Sequence, residues 1–554
     1  MAGSGRARKR IESDFNLGGE QAEADPLLET AFYESAIYSS IASRDNPHCF
    51  LIGRTGSGKS AILQHLEETA TAHVVRINPE DLSLPYILDL GVVQQLATMG
   101  VHLDPLFIAL WKHVLIVELI RHRYHVDTPE AKRNFFSTLR ERVRRDSSKR
   151  AALDYLDEFA ESFWCETDER VREITSNFER KIGLTTSGQA ALPGLGRFGL
   201  EGEASRISRT ELRSEQADRY QRIVNETQLP RLNKMISVLN DEILDSPQLF
   251  TYVIVDDLDR DWVDEQLAND LIRCLFRAAL DLQRVKYLKI IVALRTNIFE
   301  HLNFGARSGG QEEKFRSLSS QVRWTSRELE ELADERAKVA GAKYGFHGIR
   351  DLLPPPSRQR GNPLNFLLDR TLMRPRDVIA FLNECLANAS GKARLTWSDL
   401  QRSEPAYSKK RLLALRDEWK PTFPDIDKVF GLFRGCPRTM TRDELTLRLD
   451  EAVLLPTQHD FAGVRWMTDL SEPLWSGSGT QDWAESYQPL VKMLYDIGFL
   501  VLGTNSTTWH YANGDVGYAD SHANLNAASE FMVHRAFWSA LDVVVKRQSA
   551  VDSS

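Results

Sequence analysis

Hydrophobic residues recur along this chain in two rhythms. Short, nearly unbroken apolar runs at residues 49–52, 73–77, 250–255 and 289–294 have the length and β-branched content of strands covered on both faces. Elsewhere apolar positions return every three or four residues, over 106–123, 131–145, 152–163 and 208–244, which is the period of a helix with one covered stripe. Strands alternating with helices predict an α/β fold built on a parallel sheet. Nearly 200 residues separate Lys59 from Asp256, and most of the excess over a minimal sheet domain carries the helical rhythm. A large helical module inserted into the sheet domain follows from that spacing.

The first run leads directly into Gly53-Arg54-Thr55-Gly56-Ser57-Gly58-Lys59-Ser60 and then into helical spacing from Ala61. Gly, four residues, Gly-Lys-Ser, set between a strand and a helix, is the phosphate-loop or Walker A pattern in the context that gives it meaning. Gly56 and Gly58 allow the backbone to turn its N–H groups inward without a Cβ in the way, and the following helix points its positive end at an anion. Gly53, Arg54, Thr55, Gly56, Ser57, Gly58, Lys59, Ser60 and Ala61 are therefore candidate nucleotide contacts. Lys59 is suited to the β and γ phosphates and Ser60 to Mg²⁺.

The third run ends in Asp256-Asp257-Leu258-Asp259-Arg260, two adjacent carboxylates at the end of a buried strand, the Walker B pattern. Asp256 is the candidate metal ligand, and Asp257 the candidate base that orients or deprotonates water. The fourth run ends abruptly in Arg295-Thr296-Asn297. In phosphate-loop proteins whose catalytic acid sits on the Walker B strand, an extra strand between the two motif strands carries a polar γ-phosphate sensor at its tip. Arg295, Thr296 and Asn297 are candidates for that role.

These motifs, together with Arg374-Pro375-Arg376-Asp377 opening the apolar segment 378–383, resemble the layout of the STAND and KAP ATPases of the AAA-related superclass, and in particular soluble bacterial members of that group. The resemblance spans about residues 25–390, and the chain departs from KAP proteins in lacking a membrane insertion. It implies ATP and Mg²⁺ as ligands, ATP hydrolysis coupled to a conformational switch, and a helical lid in which Arg374 or Arg376 reaches the nucleotide. A role in bacterial defence fits the same resemblance. ATP rather than GTP is implied by it alone, since the chain holds no convincing guanine motif.

The expected organisation is a disordered tail at 1–24, a phosphate-loop core at 25–100 and 246–345, and a helical insertion at 101–245. A lid is expected at 346–400, with Pro354-Pro355-Pro356 marking a break before its helices at about 361–392, and the last strand and helix of the core fall at Trp324 and 327–339. From 405 to 546 a capping box at 441–444, a helix at 485–497, the run 499–502, the turn signal Asn513-Gly514 and a last helix at 530–545 predict a winged-helix-like domain.

At 554 residues, 42% hydrophobic and 27% charged, the chain has the composition of an ordinary soluble protein of several domains. No signal peptide is apparent, and Lys112, His113 and Glu118 interrupt its most apolar helix. Five scattered cysteines with no close pair argue against a disulfide framework or zinc site and for the cytoplasm. Residues 121–150 hold ten Lys and Arg against four Asp and Glu, and residues 151–180 three against nine. Either two oppositely charged helices pair, or Arg140, Arg142, Arg144, Arg145, Lys149 and Arg150 present a phosphate-binding face. Residues 421–554 carry ten basic against seventeen acidic residues, the wrong sign for gripping a phosphate backbone. A protein partner or self-association is expected, with nucleic acid as the alternative. An ATPase switch is the leading reading. A sensor or assembly module with slow turnover, or a nucleic-acid-stimulated ATPase, is the alternative.

Overall fold

The apolar runs pair into one parallel sheet. Strands β1 (Phe50–Gly53), β2 (His73–Ile77), β3 (Thr251–Val255), β4 (Leu288–Arg295) and β5 (Ser319–Gln321) lie in the order β2-β3-β4-β1-β5. The computed structural model describes residues 9–78, 91–124, 134, 137–141, 144, 218, 221–222, 229–258, 265–302, 311–476, 482–505 and 507–544. They form two compact units, one of residues 36–54 and 62–322, the other of residues 1–35, 55–61 and 323–554.

The first unit holds the sheet. Every residue of β1 and β3, and all but the last of β4, is buried, so these strands need no polar face and read as continuous apolar runs. Helices Asp104–Tyr124 and Glu265–Leu282 pack together in the core that covers the sheet, with Phe50 of β1 stacked on Phe276 at 4.1 Å between ring centroids. Arg273 ties the two helices by donating to both oxygens of Asp104, each at 2.7 Å. Asp104–Tyr124 and Leu229–Val238, which pack on each other, are the described helices of the expected insertion beyond residue 101. The predicted segment 152–163, most of 131–145 and 208–228, and most of the basic cluster at 140–150 lie outside the described residues.

β4 runs between β1 and β3, as the candidate sensor strand should. Val292 faces both Phe50, at the start of β1, and Val255, at the end of β3. β1 therefore continues three residues farther along the sheet, until Gly53 meets Arg295. That stagger, roughly 10 Å at the rise of a strand, leaves room beyond β3 for Asp256 and Asp257 at the carboxyl edge of the sheet. Near the opposite edge Lys289 donates to the carbonyls of Ser40, Ser43 and Asn46 at 3.3, 2.7 and 3.0 Å, tying the segment before β1 to β4. Burial pulls its amine down to about 8.

The second unit is mainly helical. Ser326–Gly341, Pro363–Leu368, Pro375–Ala387 and Trp397–Trp419 enclose a core in which Phe381 stacks on Tyr407 at 4.2 Å. The tail expected at residues 1–24 is overturned for its described part, 9–24. Ile11 and Leu17 are fully buried and Phe15 nearly so, in the core built by helix Ser326–Gly341 and its neighbours. Ile11 N–H donates to the Lys392 carbonyl at 2.8 Å, and Gly391 N–H returns a bond to Ile11 at 2.7 Å. A polar composition implies disorder only when a segment must make its own core. Here the receiving surface comes from residues some 300 positions away.

Farther on, the Thr441–Glu444 capping box opens helix Arg442–Val453, and helices Val464–Ser476 and Trp483–Asp496 precede an antiparallel sheet. Its strands β6 (Leu500–Asn505), β7 (Thr508–His510) and β8 (Glu530–Val533) lie in the order β7-β6-β8, and Met440 bridges to Phe531. Helices followed by a hairpin are thus present, with two corrections. The helix expected at 530–545 begins instead as β8, whose Phe531, Met532 and Val533 are buried against β6. The hairpin turns just after Asn505, whereas Asn513-Gly514 closes a separate turn onto the Tyr511 carbonyl. Among the described residues no helix is long and apolar enough to cross a membrane.

Candidate functional site

The loop between β1 and helix Lys59–Thr69 has the backbone its glycines predict. Gly56 and Gly58 are left-handed, with φ of +75° and +98°, a region that side chains rarely tolerate. A Cβ on Gly56 would also sit 3.0 Å from the Arg376 side chain, so this position is restricted by both backbone and space. Lys59 and Ser60 open the helix whose N-terminus closes the loop.

Four groups of the same unit grip this loop from outside. Trp324 Nε1 donates to the Ser57 carbonyl at 2.8 Å. Arg374 Nη1 donates to the Thr55 carbonyl at 2.8 Å and to Glu418 Oε2 at 3.0 Å. The Thr55 N–H donates to Glu418 Oε1 at 3.3 Å, and the Arg376 N–H approaches the Gly56 carbonyl at 3.4 Å. The Arg-Pro-Arg element is placed by Met373, itself left-handed at φ 54°, and by Asp377, which accepts from Leu372 N–H and pairs with Arg411.

Around the loop, buried polar atoms lack partners among the described residues. They are Thr55 Oγ1, Ser57 Oγ, and Nε and Nη2 of Arg374. Buried donors and acceptors left unmatched cost about 1–3 kcal/mol each, so such a cluster marks a place for a polar ligand or water. Arg376 adds to the electrostatic demand. Burial, and then the nearby Arg411, hold its guanidinium below its usual range, and an anion there would relieve both.

Gly56, Gly58, Lys59, Ser60, Ala61 and Arg376 line one cavity of about 110 Å³. Part of its remaining wall was not legible in the sequence: Gly19 to Glu23, Asp25 and Arg336. This N-terminal segment is clamped by Arg336, which donates to the Leu17 carbonyl at 2.8 Å and to Asp25 Oδ2 at 2.6 Å, both charged side chains being almost wholly buried. Asn383 adds a reciprocal pair to Leu17 N–H and the Gly18 carbonyl, and Arg376 Nε donates to the Glu20 carbonyl at 2.9 Å. No local pattern announces partners more than 300 residues apart. Asp25→Ala leaves Arg336 buried without its counter-charge, so a loss of about 3–5 kcal/mol in unfolding free energy is expected, read by denaturant titration with Asp25→Glu as control.

In the sheet unit Asp256 is buried just past β3, and its Oδ2 lies 3.4 Å from Nη2 of Arg76 on β2, a neighbour the sequence reading did not single out. The next residue, Asp257, is left-handed at φ 56°. A non-glycine residue held there carries strain of the kind that gathers at functional sites, although Asp tolerates it better than most. Arg295 ends β4, and Thr296 and Asn297 form the first turn of helix Thr296–His301. The structure thus gathers residues 55–61, Arg374 and Arg376 in one unit. Gly53, Arg54, Asp256, Asp257, Arg295, Thr296 and Asn297 follow the carboxyl ends of the strands of the other. Asp259 and Arg260 lie outside the described residues.

A parallel sheet in this strand order, with a Gly-x-x-x-x-Gly-Lys-Ser loop leaving β1, defines an α/β fold with a phosphate-loop NTPase core. Comparison with known proteins adds three findings. The FunZ-associated C-terminal helical domain matches residues 327–416. Over 300 residues the chain is 24% identical to the 80.3 kDa protein assigned to transposon gamma-delta in Escherichia coli (strain K12), an alignment taking in 52% of this chain and 40% of that protein's length. Among solved structures it is similar to the Aeropyrum pernix ORC1 protein, determined in complex with DNA, at 12% identity and a TM-score of 0.31, covering 91% of this chain and 90% of that one.

Proposed function

We propose that this protein binds ATP with Mg²⁺ at the loop Gly53 to Ala61 and hydrolyses it, using the bound state to switch the arrangement of its helical parts. The observation that carries the proposal is the loop itself, with two left-handed glycines beside polar atoms of Thr55, Ser57 and Arg374 that have no partner among the described residues. Lys59 neutralises the β and γ phosphates, and the loop N–H groups cradle them. By their places in the two motifs, Ser60 and Asp256 would be the oxygen ligands of Mg²⁺, which would supply charge neutralisation at the phosphates. Asp257 accepts the proton of the attacking water, and Arg295 or Asn297 reads the γ phosphate. Arg376, which lines the cavity beside Gly56, is the lid arginine that meets the nucleotide, and Arg374 supports the loop from behind. The acidic balance of residues 421–554 supports a protein partner or self-association over nucleic acid. A cytoplasmic location completes the reading.

Calorimetry with ATP and Mg²⁺ tests the proposal, and an absence of binding by the wild-type chain sinks it. Sustained turnover at saturating ATP identifies an enzyme, whereas tight binding with little turnover identifies a sensor. If Arg376 distinguishes ATP from ADP, hydrogen exchange over residues 361–392 should be slower with ATP than with ADP. Arg376→Ala should erase that difference, because a ligand shifts an equilibrium only through contacts that differ between states. Equal exchange with the two nucleotides in the wild type would move the switch to Arg295 and Asn297.

A further inference from the structure

Glu418 belongs to none of the motifs above, yet its carboxylate reaches the phosphate loop. It sits in the last turn of helix Trp397–Trp419, its side chain 6% exposed. One oxygen accepts from the Thr55 N–H and the other from Arg374 Nη1, which in turn donates to the Thr55 carbonyl. The three groups close a ring around a single loop residue, holding both polar atoms of its backbone. The same helix carries Ser408, whose hydroxyl donates to the Ala536 carbonyl at 2.7 Å and accepts from Ala540 N–H at 3.0 Å. One rigid element therefore touches both the C-terminal segment and the phosphate loop.

The charges of this arrangement oppose a nucleotide. A carboxylate bonded to a phosphate-loop residue repels phosphates, and it offsets the charge of the arginine behind that loop. Among the described residues Arg374 Nε and Nη2 have no partners while its Nη1 serves Glu418 and Thr55, so the guanidinium is only partly committed. A buried ion pair left incompletely satisfied is poor stabilisation, and its best-attested use is as a register or switch device.

We infer that Glu418 is a restraining carboxylate of the phosphate loop, fixing Thr55 and offsetting Arg374 so that the loop takes nucleotide less tightly than it otherwise would. The inference rests on the nucleotide-binding reading. Movement of helix Trp397–Trp419 would withdraw the carboxylate and leave the charge of Arg374 unopposed behind the loop, which couples the C-terminal region to nucleotide affinity.

ATP binding to the full-length wild type, Glu418→Gln, Arg374→Ala and the double variant tests it by calorimetry, alongside hydrogen exchange of residues 53–58 without nucleotide. Glu418→Gln should tighten ATP roughly three- to tenfold, lose that gain in the Arg374→Ala background, and exchange faster at 53–58. Unchanged or weaker ATP binding, or a gain that survives Arg374→Ala, overturns the inference. Should Glu418→Gln fail to fold, Glu418→Asp keeps the charge on a shorter arm. It should speed exchange at 53–58 without raising ATP affinity, and unaltered exchange overturns the inference by itself. A wild type that binds no ATP sinks the nucleotide reading instead, while exchange in the variants still decides whether Glu418 holds the loop.

Discussion

Lys59→Ala is expected to weaken ATP binding by about 30- to 700-fold, the equivalent of about 2–4 kcal/mol for removing one partner of a close charge pair. Lys59 is the cation at the start of the loop helix, and it lines the same cavity as Gly56, Gly58, Ser60 and Arg376. The change removes the side chain beyond Cβ and leaves the left-handed glycines untouched, so the fold should be kept. Calorimetry on the wild type and variant, with a thermal melt as a folding control, reads the effect directly. Equal affinities with equal melting would remove the loop from the binding site and the proposed function with it.

Asp257→Asn should separate binding from chemistry. The wild-type residue is left-handed at φ 56°, and Asn occupies that region as readily as Asp, so the backbone past β3 should not move. What is lost is the carboxylate's ability to accept a proton. A fall in kcat of about 10²- to 10⁴-fold is expected, the usual contribution of a general base, with ATP affinity within about threefold of wild type. Asp256→Asn should behave differently. Its carboxylate is buried beside Arg76, so neutralising it takes away one of that cation's two carboxylate partners, leaving Glu67, and also removes the proposed metal ligand. A shift of the Mg²⁺ requirement to higher concentration is expected there. Should Asp257→Asn turn over like the wild type, the base must be sought elsewhere on the carboxyl edge of the sheet.

The contrast between these residues and those around the cavity shows what kind of information a sequence carries. Lys59, Ser60, Asp256 and Asp257 were legible because each is fixed by its immediate chain neighbours: a strand ends, a glycine turn or carboxylate pair follows, and a helix begins. Arg374 and Arg376 were legible as a pair but not as individuals. Their different contacts depend on Glu418, 44 positions beyond Arg374, and on the Glu20 carbonyl, 356 positions before Arg376. The segment Leu17 to Ala24 falls in the expected tail because its composition cannot support a core. It folds because Arg336 and Asn383 supply its missing partners. The end of the chain failed for another reason. Residues 530–545 contain apolar positions at a spacing compatible with a helix, but pairing with β6 recruits the first four as a strand.

The sequence alone determined the parallel sheet and the motifs that follow its strands, since both arise from short-range constraints. Apolar runs must be covered on both faces, and a phosphate loop needs glycine wherever φ turns positive. Only the tertiary structure decided the register that places Arg295 level with Gly53, and which distant side chains grip the loop. Those choices rest on ion pairs and hydrogen bonds between residues tens to hundreds of positions apart. Their energies depend on burial and geometry that exist only once the chain has folded.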